Sequence, residues 1–207
     1  MKLKKEYYRK DDVFFIAKDL IGKVLVSEID NIYTSGIITE TEAYHGVYDR
    51  ACHAFGGRRT SRTEIMYSPG GVAYIYLCYG LHSLFNIVTN VKDIPEAILI
   101  RALYPLDGIE HMLKRRNRSV NDKILTGGPG TVSQAMGFTL RYNGTPLNGR
   151  IIYIEDRGIK INKADIKVTK RIGVEGAKEA ADYLYRYVVP FSRISGLVNE
   201  SKERYIK

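Results

Sequence analysis

Two rhythms of apolar residues alternate along the first part of the chain. After Asp11-Asp12, the residues Val13, Phe14, Ile16, Ala17 and Leu20 recur at helical spacing until Gly22 stops them. Lys23–Ile29 (K-V-L-V-S-E-I) is instead β-branched and extended. Asp30-Asn31 marks a turn, and Tyr33–Glu42 returns as a second strand. Tyr44–Gly57 lacks a period and holds Gly46, Gly56 and Gly57, which predicts a loop. Ser61-x-x-Glu64 has the form of a capping box for a short helix through Met66. Ser68-Pro69-Gly70-Gly71 breaks the chain. Val72–Tyr79 then predicts a strand, Gly80-Leu81-His82 a turn, and Ser83–Asn90 the strand coming back. Ala97–Leu103 is a further apolar strand with Arg101 set inside it. Asp107–Arg116 predicts a helix capped by Asp107, and Gly127–Gly130 leads into another near Thr131–Met136. Ile151–Glu155 and Ile166–Thr169 are strand-like, and the rest of the C-terminal third is basic and less regular. With no internal repeat and no linker, this order predicts one compact α+β domain over residues 1–207. Its sheet is mixed or antiparallel, flanked by short helices, with a protruding β-hairpin.

Composition changes this picture in one respect. Hydrophobic content of 44% and charged content of 27% are those of an ordinary soluble globular protein. Yet 32 Lys and Arg against 23 Asp and Glu leave a net charge of +9, and there are sixteen Tyr and no Trp. A basic, tyrosine-rich surface suits a nucleic-acid partner, although charge alone is equally that of a merely basic protein. Cys52 and Cys78 form neither a C-x-x-C motif nor a disulfide framework, so a reducing cytoplasm is the expected setting. The start, M-K-L-K-K-E-Y-Y-R-K, has no apolar core of a secretory signal, and no apolar run approaches the roughly 18 residues of a membrane span.

Candidate chemistry concentrates between Glu40 and Asn86. Glu40 and Glu42 lie two apart and share a strand face, as metal or acid–base carboxylates would, or as a solvated sheet edge would. Arg101, a charge inside I-L-I-R-A-L, requires a partner or a function. In Y-I-Y-L-C-Y-G, Tyr74 and Tyr76 share one face, and Tyr79 stands before the glycine of the turn, where an aromatic can act as a wedge or fold back on its sheet. Arg58, Arg59 and Arg62 surround a glycine pair and a helix start, a setting that suits phosphate. Lys114, Arg115, Arg116 and Arg118 read as a solvated helix end. His45, Cys52 and His53 have poor zinc-ligand spacing, and no G-x-S-x-G is present, so neither a metal hydrolase using Glu40, Glu42 and His53 nor a serine triad is favoured.

E-T-E-A-Y, the G-G-R-R-T-S-R loop and Y-I-Y-L-C-Y-G with its following Asn resemble the alkyladenine (3-methyladenine) DNA glycosylases, in their bacterial form. The likeness extends from A-K-D-L-I-G-K-V-L-V through L-I-R-A-L-Y-P-L-D-G, G-G-P-G-T-V-S-Q-A and K-R-I-G-V, which covers most of the chain in order. The resemblance implies a monofunctional, metal-free glycosylase of one domain, expected to be monomeric, acting on double-stranded DNA with damaged purines. Under it Glu42 resembles the base that activates water, and Arg101 the residue that helps hold that water and the nucleotide backbone. Tyr44 and His53 resemble one wall of the base pocket, Tyr76 the other. Tyr79 resembles the duplex wedge, and Asn86 the residue that crowds the 2-amino group of guanine. One departure stands out: the usual G-P-G-K-L reads Gly128-Pro129-Gly130-Thr131-Val132, so a basic residue is missing at Thr131. A non-catalytic nucleic-acid-binding domain, with the hairpin as stacking platform, is the alternative, and Arg101 in its apolar strand argues against it.

Overall fold

The computed structural model describes residues 1–119 and 125–204. Its centre is a long strand, β2 (Ile32–Tyr44), entered from β1 (Val24–Ile29) through a tight turn in which Asp30 and Asn31 both adopt left-handed φ. Along one edge β2 pairs with β5 (Glu96–Asp107). Along the other it pairs first with β1 and then, over Glu40–Glu42, with β8 (Arg186–Val188). The hairpin of β3 (Ala73–Cys78) and β4 (His82–Thr89) extends the sheet beyond β5. β6 (Ile152–Glu155) lies outside β1, and β7 (Lys167–Thr169) outside β8. All of these pairings are antiparallel, and with the short helices around them they give the expected α+β class.

Helix α1 (Lys5–Tyr8) is a single turn, and α2 (Val13–Asp19) starts where its sequence predicts: the Asp12 carboxylate accepts from the Phe15 N–H at 2.8 Å. The apolar stripe of α2 packs Val13, Ile16 and Ala17 into a core with Leu25, Ile37, Ile98 and Ile100. α3 (Ile109–Arg116) and α4 (Pro129–Met136) pack together, and α5 (Phe191–Arg204) closes the chain. Gly70 sits where β4 ends against α1. A side chain there would come within 2.5 Å of the Tyr8 carbonyl oxygen, which explains the glycine in the Pro69-Gly70-Gly71 break.

Several sequence expectations need correction. Ser61 caps nothing: the helical turn is 3-10 over Glu64–Tyr67, Thr63 precedes it, and Glu64 turns outward to Arg59. Asp107 does not cap α3 either. It ends β5, accepting from Ser35 and Arg157, and left-handed Gly108 precedes the helix. The basic end of α3 is not simply solvated, because Arg115 donates to the Ala135 carbonyl at 3.0 Å and Arg116 reaches Gln134, tying α3 to α4. The C-terminal third contributes β8 and α5, whose periods are too short or too polar to read. Among the described residues no helix is long and apolar enough to cross a membrane.

Candidate active site

Glu40, Glu42 and Tyr44 alternate onto one face of β2. Thr41 turns to the other, where its hydroxyl donates to the Ala17 carbonyl of α2 at 2.8 Å. The ladder between β2 and β5 slips twice here. Ile38 faces Leu103 and Glu40 faces Ala102, which leaves Thr39 extra on β2. Thr41 then faces Ile100, which leaves Arg101 extra on β5. The two bulges cancel, and the second re-aims Arg101 towards the carboxylates. Its Nε donates to Glu40 Oε1 at 2.7 Å, and its Nη1 lies 3.3 Å from Glu42 Oε2. Arg186 on β8 donates to the same Glu40 oxygen at 2.7 Å. Glu40 is therefore an interior partner of two arginines, not a solvated sheet edge.

Glu42 is fully buried. Its Oε1 accepts from the Ile172 N–H at 2.8 Å and its Oε2 from the Tyr44 hydroxyl at 2.9 Å. Burial pushes the carboxyl above its ordinary range, while Arg101 and these two hydrogen bonds pull the other way.

Beside this carboxylate lies a partly open pocket lined by Tyr44, Cys52, His53, Met66, Tyr74, Tyr76 and Asn86 from the strands and the 44–57 loop, with Gly173 and Val174 at its rim. Tyr74 and Tyr76 stack with ring centroids 5.4 Å apart. His53 stands edge-on to Tyr76 at 4.6 Å and its Nδ1 is 2.7 Å from the Tyr74 hydroxyl. His53 thus touches Tyr76 directly, where the sequence reading sets them on opposite walls. Burial, then the charges of Arg62 and Arg58, lower the His53 pKa and keep the ring neutral at pH 7. Asn86 is buried and donates from Nδ2 to the Tyr74 carbonyl at 3.1 Å and the Leu84 carbonyl at 3.3 Å. It therefore braces the hairpin and lines the pocket at once.

Tyr79 is at the hairpin tip, 92% exposed, with a left-handed φ of 50° followed by Gly80 at 70°. Arg58 is exposed, and Arg62 lies over the Tyr76 ring at 5.6 Å and donates to the Leu77 carbonyl at 3.3 Å. Arg59 is tied to Glu64 and Asp93 and covers the Tyr67 ring at 4.5 Å. His45, Cys52 and His53 diverge: His45 faces Glu96 at 3.3 Å, while the buried Cys52 and His53 each line the pocket. Among the described residues no three His, Cys, Asp or Glu side chains converge. Both cysteines are free. The sequence reading gives no role to Asp49 or Arg186 and holds Arg171 only as part of K-R-I-G-V, with no function assigned. Arg171 and Asp49 form a fully buried ion pair behind Tyr44, yet each stands in a polar stretch that carries no signal of burial.

The model of the methylpurine-DNA glycosylase family matches residues 6–193. The chain belongs to this family. A relative from Chlamydia abortus is 45% identical over 188 residues, covering 90% of this chain and 97% of its own. One from Clostridium acetobutylicum is 45% identical over 196 residues, covering 91% and 94%, and one from Desulfitobacterium hafniense is 37% identical over 199, covering 93% and 97%. By name each is a candidate 3-methyladenine DNA glycosylase. Membership makes the chain a DNA glycosylase, a DNA-repair hydrolase of N-glycosyl bonds.

Proposed function

We propose that this glycosylase releases alkylated or deaminated purines (3-methyladenine, 7-methylguanine, hypoxanthine, ethenoadenine) from double-stranded DNA by flipping the base and attacking the sugar with water activated by Glu42. The observation that carries the reading is the buried Glu42 carboxylate, gripped by Arg101, Tyr44 and the Ile172 N–H at the side of an aromatic pocket. A purine in the stack is out of reach, so it rotates out at a cost of a few kcal/mol, less where pairing is already weak. Tyr79 fills the vacated stack. Stacking of the extruded base on the pocket tyrosines contributes roughly 1–3 kcal/mol. N3- and N7-alkylated purines are cationic, which suits tyrosine faces and a neutral His53 and makes the base a good leaving group. As the bond to the base stretches, positive charge grows on the sugar. Ionised Glu42 stabilises it and takes the proton of the water that attacks C1′. Arg101 orients the carboxylate. No amine nucleophile takes part, so the product is an intact strand with an abasic site.

The test is base release from duplex oligonucleotides that each carry one of these lesions, with strand scission monitored in parallel. Tight lesion binding without release from any of them would overturn the reading. DNA affinity should fall with salt at a slope of about −0.9 per phosphate neutralised. Tyr79→Ala should weaken binding to lesion DNA well beyond its effect on undamaged DNA, because only the flipped complex needs the wedge. Equal losses would return Tyr79 to the role of an exposed turn residue.

Asn86→Ser should raise excision of guanine from a mismatch while release of hypoxanthine or ethenoadenine changes little. Guanine outnumbers any lesion, and its rejection needs an unfavourable contact, since lost attraction alone discriminates weakly. Asn86 lines the pocket, and its side chain is the group that would crowd the 2-amino group. Its two backbone contacts mean that a melting curve must accompany the assay. Uniform loss on every base together with a lower melting temperature would assign Asn86 to the hairpin alone.

A further inference from the structure

Next to the pocket residue Tyr44, the Arg171 side chain is fully buried against Asp49. It makes a two-pronged pair with that carboxylate, with Nη2 to Oδ1 at 2.8 Å and Nη1 on Oδ2. The same two nitrogens also donate to the Ala43 carbonyl at 2.9 Å and the Ala180 carbonyl at 3.1 Å. A buried ion pair is not an economical way to hold a fold together, since apolar side chains of the same volume commonly do as well. The attachments of this pair are more informative. The guanidinium lies 4.8 Å from the centroid of the Tyr44 ring, which lines the pocket. Asp49 accepts from the His45 and Ala51 N–H groups and so fixes the turn that leads to Cys52 and His53. The residue after Arg171 is Ile172, whose N–H is the donor on Glu42 Oε1.

We infer that Arg171 and Asp49 are positioning residues for base excision, a single clamp that sets the Tyr44 ring, the His53 turn and, through the Ile172 N–H, the orientation of Glu42. The inference rests on the function proposed above for Glu42 and Tyr44. Arg171 touches neither base nor sugar. Its planar fork does what a lysine cannot, because one ammonium cannot serve two carbonyls and both oxygens of a carboxylate beside an aromatic ring.

Arg171→Lys and Asp49→Asn test it, with near-ultraviolet circular dichroism identifying which variant keeps the native tyrosine environment. In a folded variant, single-turnover base release should fall about 100-fold, as expected when a reacting group is misplaced by an ångström, with affinity for undamaged DNA unchanged. A second readout needs no DNA: titration of the Glu42 carboxyl by carbon NMR in the free protein. The groups facing Glu42 are Arg101 on β5, Glu40 and Tyr44 on β2, Tyr76 on β3, Arg186 on β8 and Arg171 itself. Arg171→Lys keeps every one of these charges, so loss of the Ile172 donor is what should move the titration, and it should move it upward. Unchanged base release, an unmoved Glu42 titration, or unfolding of both variants would overturn the clamp. If the native protein itself releases no lesion, the glycosylase reading of the site fails, while the Glu42 titration still reports on the clamp.

Discussion

Glu42→Gln is expected to give a folded protein that binds lesion DNA and releases no base. An amide cannot take a proton from water, and positioned general-base action is commonly worth about 10²–10⁴-fold. The substitution also removes the negative charge that stabilises the sugar cation, and an amide placed with its oxygen towards the Ile172 N–H turns its NH2 towards Arg101, donor against donor. Glu40→Gln should cost far less, because Glu40 only anchors Arg101 and Arg186, while Glu42 is the carboxylate that accepts from the pocket residue Tyr44. Single-turnover base release beside a DNA-binding isotherm separates the two. Activity surviving in Glu42→Gln, or the same loss in both variants, would remove Glu42 from the role of base.

Arg101→Gln should be nearly as damaging at neutral pH, for a different reason and with a distinct signature. In the native protein burial already holds the Glu42 carboxyl above its ordinary value and Arg101 is the largest opposing influence. Without that cation the carboxyl rises further, and a buried, unpaired carboxylate takes up a proton before it tolerates its charge. A protonated Glu42 is inactive. The acid limb of the pH–rate profile, already above the range of a solvent-exposed carboxylate in the native protein, should therefore move to higher pH, and activity should return as pH is raised. Stability follows with a fixed sign. A carboxyl whose folded pKa exceeds its unfolded one contributes stability that is present at low pH and disappears as pH rises through the folded value. The variant should thus melt highest in mild acid. An unshifted acid limb with a uniformly lower rate would mean that Arg101 acts on the substrate and not on Glu42.

Much of this was legible in the residues, and the exceptions have physical causes. The α2 stripe, the Asp30-Asn31 turn, the tyrosine hairpin and the shared face of Glu40 and Glu42 follow from local spacing, and the structure keeps them. Arg101 announced itself as a charge in an apolar strand, although the bulge that aims it depends on pairing with β2 and cannot be read from β5 alone. The burial of Arg171, Asp49 and Arg186 could not be read because it is created by segments more than a hundred residues away in the chain, and a polar residue destined for the interior looks like one destined for water. Ser61-x-x-Glu64 and Asp107 show the converse. Each has the composition of a cap, but Arg59 claims Glu64, while Ser35 and Arg157 claim Asp107.

The hairpin tip has a bearing on how this protein can be engineered. Tyr79 holds a left-handed backbone conformation that costs an L-residue roughly 1–2 kcal/mol, and with 92% of it exposed it recovers almost nothing by packing. A screen that rewards heat resistance alone would accept Gly or Asn at this position and score the change as harmless. Under the wedge role proposed for Tyr79, the same exchange would strip the protein of its hold on a flipped nucleotide. Stability and usefulness thus pull in opposite directions at one residue, and any library built for robustness should keep Tyr79 fixed.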